Sequence, residues 1–230
     1  KHGNRSITSR SGSADVLESL GVSVNMPPAK AVEALSKANI SFFFAPNYHH
    51  AFKHIAPVRR ELGFRTVFNM MGPMLNPAGV DSQVIGVFSP ELSLTVAQVM
   101  KRLGSKRALI VHGTDGLDEI TLTGETHVTE LRDGWIRQYM LDPREYGFEL
   151  CTAAELKGGG AKDNAVIARS ILSGEKGPRR DVVVLNAAGA IIAAGMADDF
   201  SAAIKIAKES IDSGKALRSL DALVAFSGGK

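Results

Sequence analysis

Cysteine is nearly absent: among 230 residues there is one, Cys151. A single thiol closes no internal disulfide and leaves no CxxC redox pair or cysteine zinc site, so a reducing, cytoplasmic compartment is expected. Aromatic residues are also scarce, at 6%, whereas Gly occurs 23 times and the C-terminal half is rich in Ala. That mix favours layered α/β structure over a β-sandwich. Long apolar runs are missing as well. The longest candidate, residues 182–196, is broken by Asn186, Gly189 and Gly195, short of the roughly 18 residues of a membrane span. Charge of one sign does not dominate: the net charge is +3 and the pI about 9.0, compatible with an anionic ligand but ordinary for a soluble protein. The chain opens Lys-His-Gly, with neither Met nor a charged segment leading into an apolar signal, so Lys1 is read as a cut end.

What is present is a core-forming composition, 44% apolar, sufficient for one domain over residues 1–230. A polar loop over residues 1–12 should lead into a short helix capped by Ser13, carrying Asp15 in its first turn and stopped by Gly21. Pro27 and Pro28 open a second helix to about Ala38, and the Phe-rich run 40–45 reads as a buried strand. Residues 48–62 have helical periodicity with a kink at Pro57. Gly72-Pro73, Asn76-Pro77 and Gly79 mark a structured loop. A strand at 84–88, a helix at 91–103 and a strand at 108–111 follow. The last delivers the chain into the acidic loop 112–119, where open α/β sheets bind ligands. Strands 127–131 and 135–140 form a hairpin through Asp133-Gly134. Four helices, 161–173, 181–194, 199–213 and 216–226, are expected to pack on the sheet after a flexible joint at Lys157-Gly158-Gly159-Gly160. The fold class is therefore α/β, with a mixed, mostly parallel sheet flanked by helices.

Two loops carry candidate chemistry. Residues 1–13 combine cations, hydroxyls and glycines ahead of a helix N-terminus, whose free N–H groups and partial positive charge suit phosphate; a solvated terminus has the same composition. In the second loop Asp118 and Glu119 offer adjacent hard oxygen ligands for Mg2+ beside substrate phosphates, or are solvent-facing charges. Arg59 has the fork that binds a carboxylate bidentately. His112 reads as a hydrogen-bonded strand-end residue. His49, His50 and His54 lack a Cys or carboxylate at ligand spacing and read as packing or solvated histidines. Phe42, Phe43, Phe44, Phe68, Met70 and Met71 read as core.

Three segments in order, KHGNRSITSRSGSADVLESLG, HIAPVRRELGFRTVFNMMGPMLNPAG and VHGTDGLDEI, resemble the anthranilate phosphoribosyltransferase family over the whole chain. The resemblance implies a nucleoside phosphorylase/phosphoribosyltransferase type of catalytic domain. It assigns Lys1, Asn4, Arg5, Ser9 and Ser13, with Gly3 among them, to 5-phosphoribosyl diphosphate, and lets Asn4 also face anthranilate. His2 and Pro73 fall on positions lining the anthranilate tunnel, Arg59 on the arginine for the anthranilate carboxylate, and Asp118 and Glu119 on the Mg2+-binding pair. Tyr48-His49 matches an aromatic and His pair, while His50 stands where the family has proline and makes the tunnel mouth more polar. The resemblance also implies a homodimer for the intact protein; the lack of a long apolar run argues against a membrane partner, and a nucleic-acid partner is not expected. Two expected motifs, a Gly-Thr-Gly-Gly-Asp loop and an Asn-x-Ser-Thr segment, do not occur in these residues, so little or no activity is expected of the chain as cut. A pyrimidine nucleoside phosphorylase would share the architecture, but Arg59 in its segment argues against it. A non-catalytic nucleic-acid binder would gain from the basic pI, yet it would have no need for an acid-recognising arginine and a metal-holding pair, and two carboxylates would repel its ligand.

Overall fold

The computed structural model describes residues 1–6, 10–51, 55, 61 and 68–229, without the side chains of Phe68 and Asn69. Its contacts gather into two compact units, each built from separate stretches of chain. One comprises Lys1–Gly79, Gly158–Ser173 and Gly214–Lys230; the other comprises Val80–Lys157 and Gly174–Ser213.

In the first unit the chain begins with a short strand, β1 (His2–Gly3), followed by helices α1 (Ser13–Ser19) and α2 (Pro28–Ala38). Gly12, one residue earlier than expected, caps α1; it has no side chain to offer, and Asp15 reaches back to its N–H instead. Pro at the first position of α2 costs nothing, because that N–H has no helical partner. Asn39, at a φ of 58°, turns the chain out of α2 in the left-handed conformation. The Phe-rich run then supplies a strand of two residues only, β2 (Phe43–Phe44), which pairs in parallel with β1, His2 opposite Phe43 and Gly3 opposite Phe44. A 3-10 turn follows at once at Ala45–Asn47. Where a loop was expected around Gly72-Pro73, a helix α3 (Phe68–Met74) is found. Pro73 falls next to its last residue, where the missing N–H removes one bond and the helix is already ending.

Two of the four C-terminal helices, α6 (Ala161–Leu172) and α9 (Lys215–Ser227), complete this unit. α9 packs on α2 and α6 on α1. The core includes Ala31, Ala34 and Ala38 on one face of α2, together with Phe42, Phe43, Phe44, Leu220 and Leu223. Small alanines at helical spacing let the two helices approach closely.

The second unit is a four-stranded mixed sheet with β3 (Ser82–Gly86), β4 (Arg107–Gly113), β5 (Thr126–Arg132) and β6 (Trp135–Leu141) in sequence order. β3 and β4 are parallel, and the crossover between them is α4 (Leu92–Arg102). β4–β5 and β5–β6 are antiparallel. The β5–β6 hairpin turns at Asp133 and Gly134, both with positive φ, 48° and 88°, as the Asp-Gly pair leads one to expect. A short helix α5 (Ala153–Leu156) leads away from the sheet.

α4 covers one face of the sheet: Ser93 accepts a hydrogen bond from Thr129 at 2.9 Å. On the other face lies α7 (Pro178–Ala193), packed on β3 and β4 and backed by α8 (Phe200–Asp212). The expectation that all four C-terminal helices pack on the sheet is therefore corrected. α7 packs on the sheet and α8 on α7, whereas α6 and α9 belong to the first unit, a division that periodicity alone does not reveal. Gly158, in the predicted flexible joint, is where the chain passes from the second unit back to the first. Just past that point Gly159 and Gly160 donate to Asn164 and Asp163 at 2.9 and 3.0 Å.

Ile110, fully buried at the centre of β4, tests the second core. Ile110→Ala is expected to lower its stability by about 2–5 kcal/mol through lost burial and the cavity left behind, measured by urea unfolding.

Candidate functional site

The basic N-terminal loop is tied to the first unit at several points. The backbone of Lys1 donates to the Ser41 carbonyl at 2.8 Å and accepts from Phe43 N–H at 2.8 Å, extending the ladder that fixes His2 and Gly3. Gly3 is required small: a Cβ there would sit 2.9 Å from the Ser13 hydroxyl and 3.1 Å from the Phe42 ring. The return of the loop is held by Asp15, which accepts from Ser6 N–H at 3.0 Å and Gly12 N–H at 2.7 Å. Those two backbone donors hold its carboxyl below the usual carboxylate range. Asn164, on α6, donates to the Ser11 hydroxyl at 2.8 Å, adding an anchor from a distant part of the sequence.

Side chains in this loop differ in what they offer. Lys1 is exposed. Asn4 accepts from Arg5 N–H at 2.8 Å. Arg5 forms a two-point ion pair with Glu18, Nη2 to Oε1 at 2.5 Å and Nε to Oε2 at 3.3 Å, and lies over the Phe44 ring. His2 meets His49 edge-on, with the two Nε2 atoms 3.1 Å apart. Burial, and then His49, lower the His2 pKa below its ordinary 6.5, a hydrogen bond with the Gly72 backbone opposing them. His49 thus packs on another histidine ring rather than on a helix, while Ser9, Arg59 and His54 lie outside the described residues. Pro73 is carried on α3 in the same unit as the basic loop.

The acidic loop leaves the end of β4 in the second unit. Asp115 is its hub: Oδ2 accepts from the hydroxyls of Thr121 and Thr123 at 2.5 and 2.6 Å, and Oδ1 from Leu117 N–H at 3.1 Å. Burial raises its pKa, but the Thr121, Thr123 and Leu117 hydrogen bonds outweigh that and hold it low. Gly113 donates to the Leu117 carbonyl at 2.8 Å, closing the loop on itself. The two proposed metal carboxylates, Asp118 and Glu119, are left exposed on this frame, whereas Ile120, the next residue, is fully buried.

Glycines at the strand ends fix where the pair stands. The backbone of Asp118 runs against Gly86, the last residue of β3, so closely that a Cβ at 86 would overlap the Asp118 carbonyl oxygen. Gly113 is crowded in the same way by Asp115 and Thr121. His112 locks the neighbouring backbone by donating from Nδ1 to the Val87 carbonyl at 2.8 Å; a carbonyl only accepts, so the proton is on Nδ1. This is the hydrogen-bonded strand-end role expected of it.

The sequence from residue 1 to 217 matches the glycosyl transferase family a/b domain. A curated anthranilate phosphoribosyltransferase from Moorella thermoacetica is 52% identical over 98% of this chain and 67% of its own length. This chain belongs to the anthranilate phosphoribosyltransferase family.

Solved structures of the family agree. The crystal structure of the Thermus thermophilus anthranilate phosphoribosyltransferase superposes with a TM-score of 0.93 at 46% identity, over 100% of this chain and 68% of that one. The Saccharomyces cerevisiae anthranilate phosphoribosyltransferase in complex with PRPP and Mg superposes at 0.88 with 30% identity, over 99% of this chain and 64% of that one. The chain thus spans about two thirds of the length of the anthranilate phosphoribosyltransferases it matches.

Sequence reasoning proposed side chains in both loops but did not identify the residues that brace those loops: Asp115, Gly86, Asn164 and, beyond its place in the first turn of α1, Asp15. Two of these carry a local signal: Asp115-Gly116 as an Asx turn accepting from the N–H two residues on, and Asp15 as the third helical residue reaching back to the N-cap. The partners of Gly86 and Asn164 are far away in sequence, and no local pattern marks them.

Two outcomes follow. Gly86→Ala must push the Asp118 backbone aside, so it is expected to weaken Mn2+ binding in the presence of diphosphate about tenfold or more while the far-UV circular dichroism stays unchanged. Since the folded state favours neutral His2, its contribution to stability is complete above pH 6.5 and lost as pH falls through the lowered folded value. In a ring-proton NMR titration His2 should therefore titrate below 6.5, and His49→Gln should move it part of the way back.

Proposed function

We propose that the protein carrying this chain transfers the phosphoribosyl group of 5-phosphoribosyl diphosphate to the amine of anthranilate, the phosphoribosyl transfer of tryptophan biosynthesis. The observation that carries the reading is the pair Asp118 and Glu119, two exposed carboxylates on a loop braced by Asp115 and Gly86, in a chain of this family.

The donor set suits Mg2+, a hard cation that takes one or two carboxylates and completes its shell with phosphate oxygens and water. Asp118 and Glu119 would hold it, and its charge would be set against that of the leaving diphosphate. Lys1, Gly3, Asn4, Arg5, Ser9 and Ser13 are assigned to the phosphoribosyl and diphosphate groups, with Asn4 also facing anthranilate. For Arg5 this requires exchanging its Glu18 partner for phosphate. His2 and Pro73 are assigned to the anthranilate side, and Arg59 to the anthranilate carboxylate.

In the reaction the bond from ribose C1 to the diphosphate oxygen breaks, C1 becomes oxocarbenium-like, and the amine nitrogen bonds to C1 from the opposite face. The amine then releases a proton to water, giving N-(5-phosphoribosyl)anthranilate and diphosphate. An aryl amine is already neutral near pH 7, so the chemistry asks for positioning and charge stabilisation rather than a strong general base. The lowered pKa of His2 keeps that ring uncharged near neutrality, which suits a surface facing an apolar aromatic acid. A cytoplasmic location and a homodimeric assembly complete the reading.

The test follows anthranilate fluorescence in the protein as encoded, on addition of 5-phosphoribosyl diphosphate and Mg2+. Turnover is expected, with kcat/KM reduced about 100-fold or more by Asp118→Asn and the anthranilate KM raised by Arg59→Ala. An unsubstituted protein that shows no turnover but binds DNA or RNA in a salt-sensitive way would overturn the proposal.

A further inference from the structure

The acidic pair is braced from a second side by a residue far away in the sequence. Asn186 stands on the face of α7 turned to the sheet, and its side-chain amide grips the backbone of Ile120. Oδ1 accepts from Ile120 N–H at 3.0 Å, and Nδ2 donates to the Ile120 carbonyl at 2.7 Å. The second hydrogen on Nδ2 goes to the Val182 carbonyl one turn back, at 2.9 Å. With one acceptor facing an N–H and both donors facing carbonyls, the amide has a single workable orientation; turning it over would set like against like. Asn alone among side chains of this size offers the acceptor and donor together, so it stands in for a strand partner of residue 120.

The same helix holds the Ile120 side chain. Gly189, one turn beyond Asn186, leaves room for it: a Cβ there would lie 2.9 Å from Ile120 Cδ1. Residue 120 is therefore pinned through backbone and side chain together. Asp118 is fixed from the other direction by its contact with Gly86. The two carboxylates stand between these anchors, exposed at 118 and 119 next to a residue that is fully buried. A loop fixed on both sides presents its carboxylates without an ordering cost when a cation binds.

We propose that Asn186 is a positioning residue for the metal-holding pair, acting on Asp118 and Glu119 through the Ile120 backbone. This rests on the assignment of that pair to Mg2+.

The experiment compares the protein as encoded with its Asn186→Ala and Asn186→Asp variants. Asn186→Asp keeps the shape and the acceptor for Ile120 N–H, loses both donors, and serves if the alanine variant does not fold. Val184→Ala, a truncation of a fully buried residue on the same helix, controls for general loosening. Two quantities are read: amide hydrogen exchange at Ile120, and Mn2+ affinity in the presence of inorganic diphosphate by electron paramagnetic resonance. Both Asn186 variants are expected to exchange the Ile120 amide faster and to weaken Mn2+ binding by about 10-fold or more, the range for residues that support metal ligands; Val184→Ala should leave the affinity within about twofold. Unchanged Mn2+ affinity in the Asn186 variants, or an equal loss in Val184→Ala, would overturn the proposal. If the unsubstituted protein binds no Mn2+ with diphosphate, the metal assignment itself fails, which is a distinct result.

Discussion

Much of the second unit depends on how closely α7 approaches the strands β3 and β4. That approach is set by Gly189, whose missing side chain is replaced by atoms of Ile120, Leu109 and Val84. A close-packed interior leaves no slack for an extra methyl group there. Because the loop after β4 is pressed between this helix and the end of β3, its backbone has one path, and the acidic pair has one place to stand. Gly86 and Gly113 extend the same constraint to the strand ends, where backbone must pass backbone or side chain without a Cβ between them.

Both candidate loops are built on one device, an aspartate that satisfies loop donors and so braces the backbone beside the candidate side chains. Asp15 gathers the N–H groups of Ser6 and Gly12, and Asp115 gathers two threonine hydroxyls and a backbone N–H. In each case hydrogen bonding favours the charged form, and the pKa is lowered. The supporting carboxylates are spent on the loop itself. The carboxylates proposed for the metal, Asp118 and Glu119, are on the exposed part of the frame. Such a division lets an exposed loop be braced without burying the carboxylates proposed for the metal.

Much of the fold was legible in the sequence. Pro27-Pro28, Asp133-Gly134 and the apolar periodicity of the C-terminal helices each impose a local conformation, and the observed elements follow them within a few residues. The exceptions are local too: the Phe-rich strand is cut short by the 3-10 turn at Ala45–Asn47, and Pro73 is tolerated near the end of α3. Less of the candidate site was legible. Asp118 and Glu119 stood out because charge between glycines after an apolar strand is a local pattern. Nothing local marks Asn186 as the partner of Ile120, or Asn164 as the partner of Ser11.

The sequence by itself determined where most of the helices and strands form, that they layer as α/β, and which loops carry cations, hydroxyls and carboxylates. These follow from backbone sterics and hydrophobic periodicity, which act over a few residues. Only the tertiary structure decided that the four C-terminal helices divide between two cores, and which glycines and amides hold the loops in place. Those choices depend on volumes and hydrogen-bond partners that meet only after long-range packing, such as Ile120 with Gly189 and Asn186.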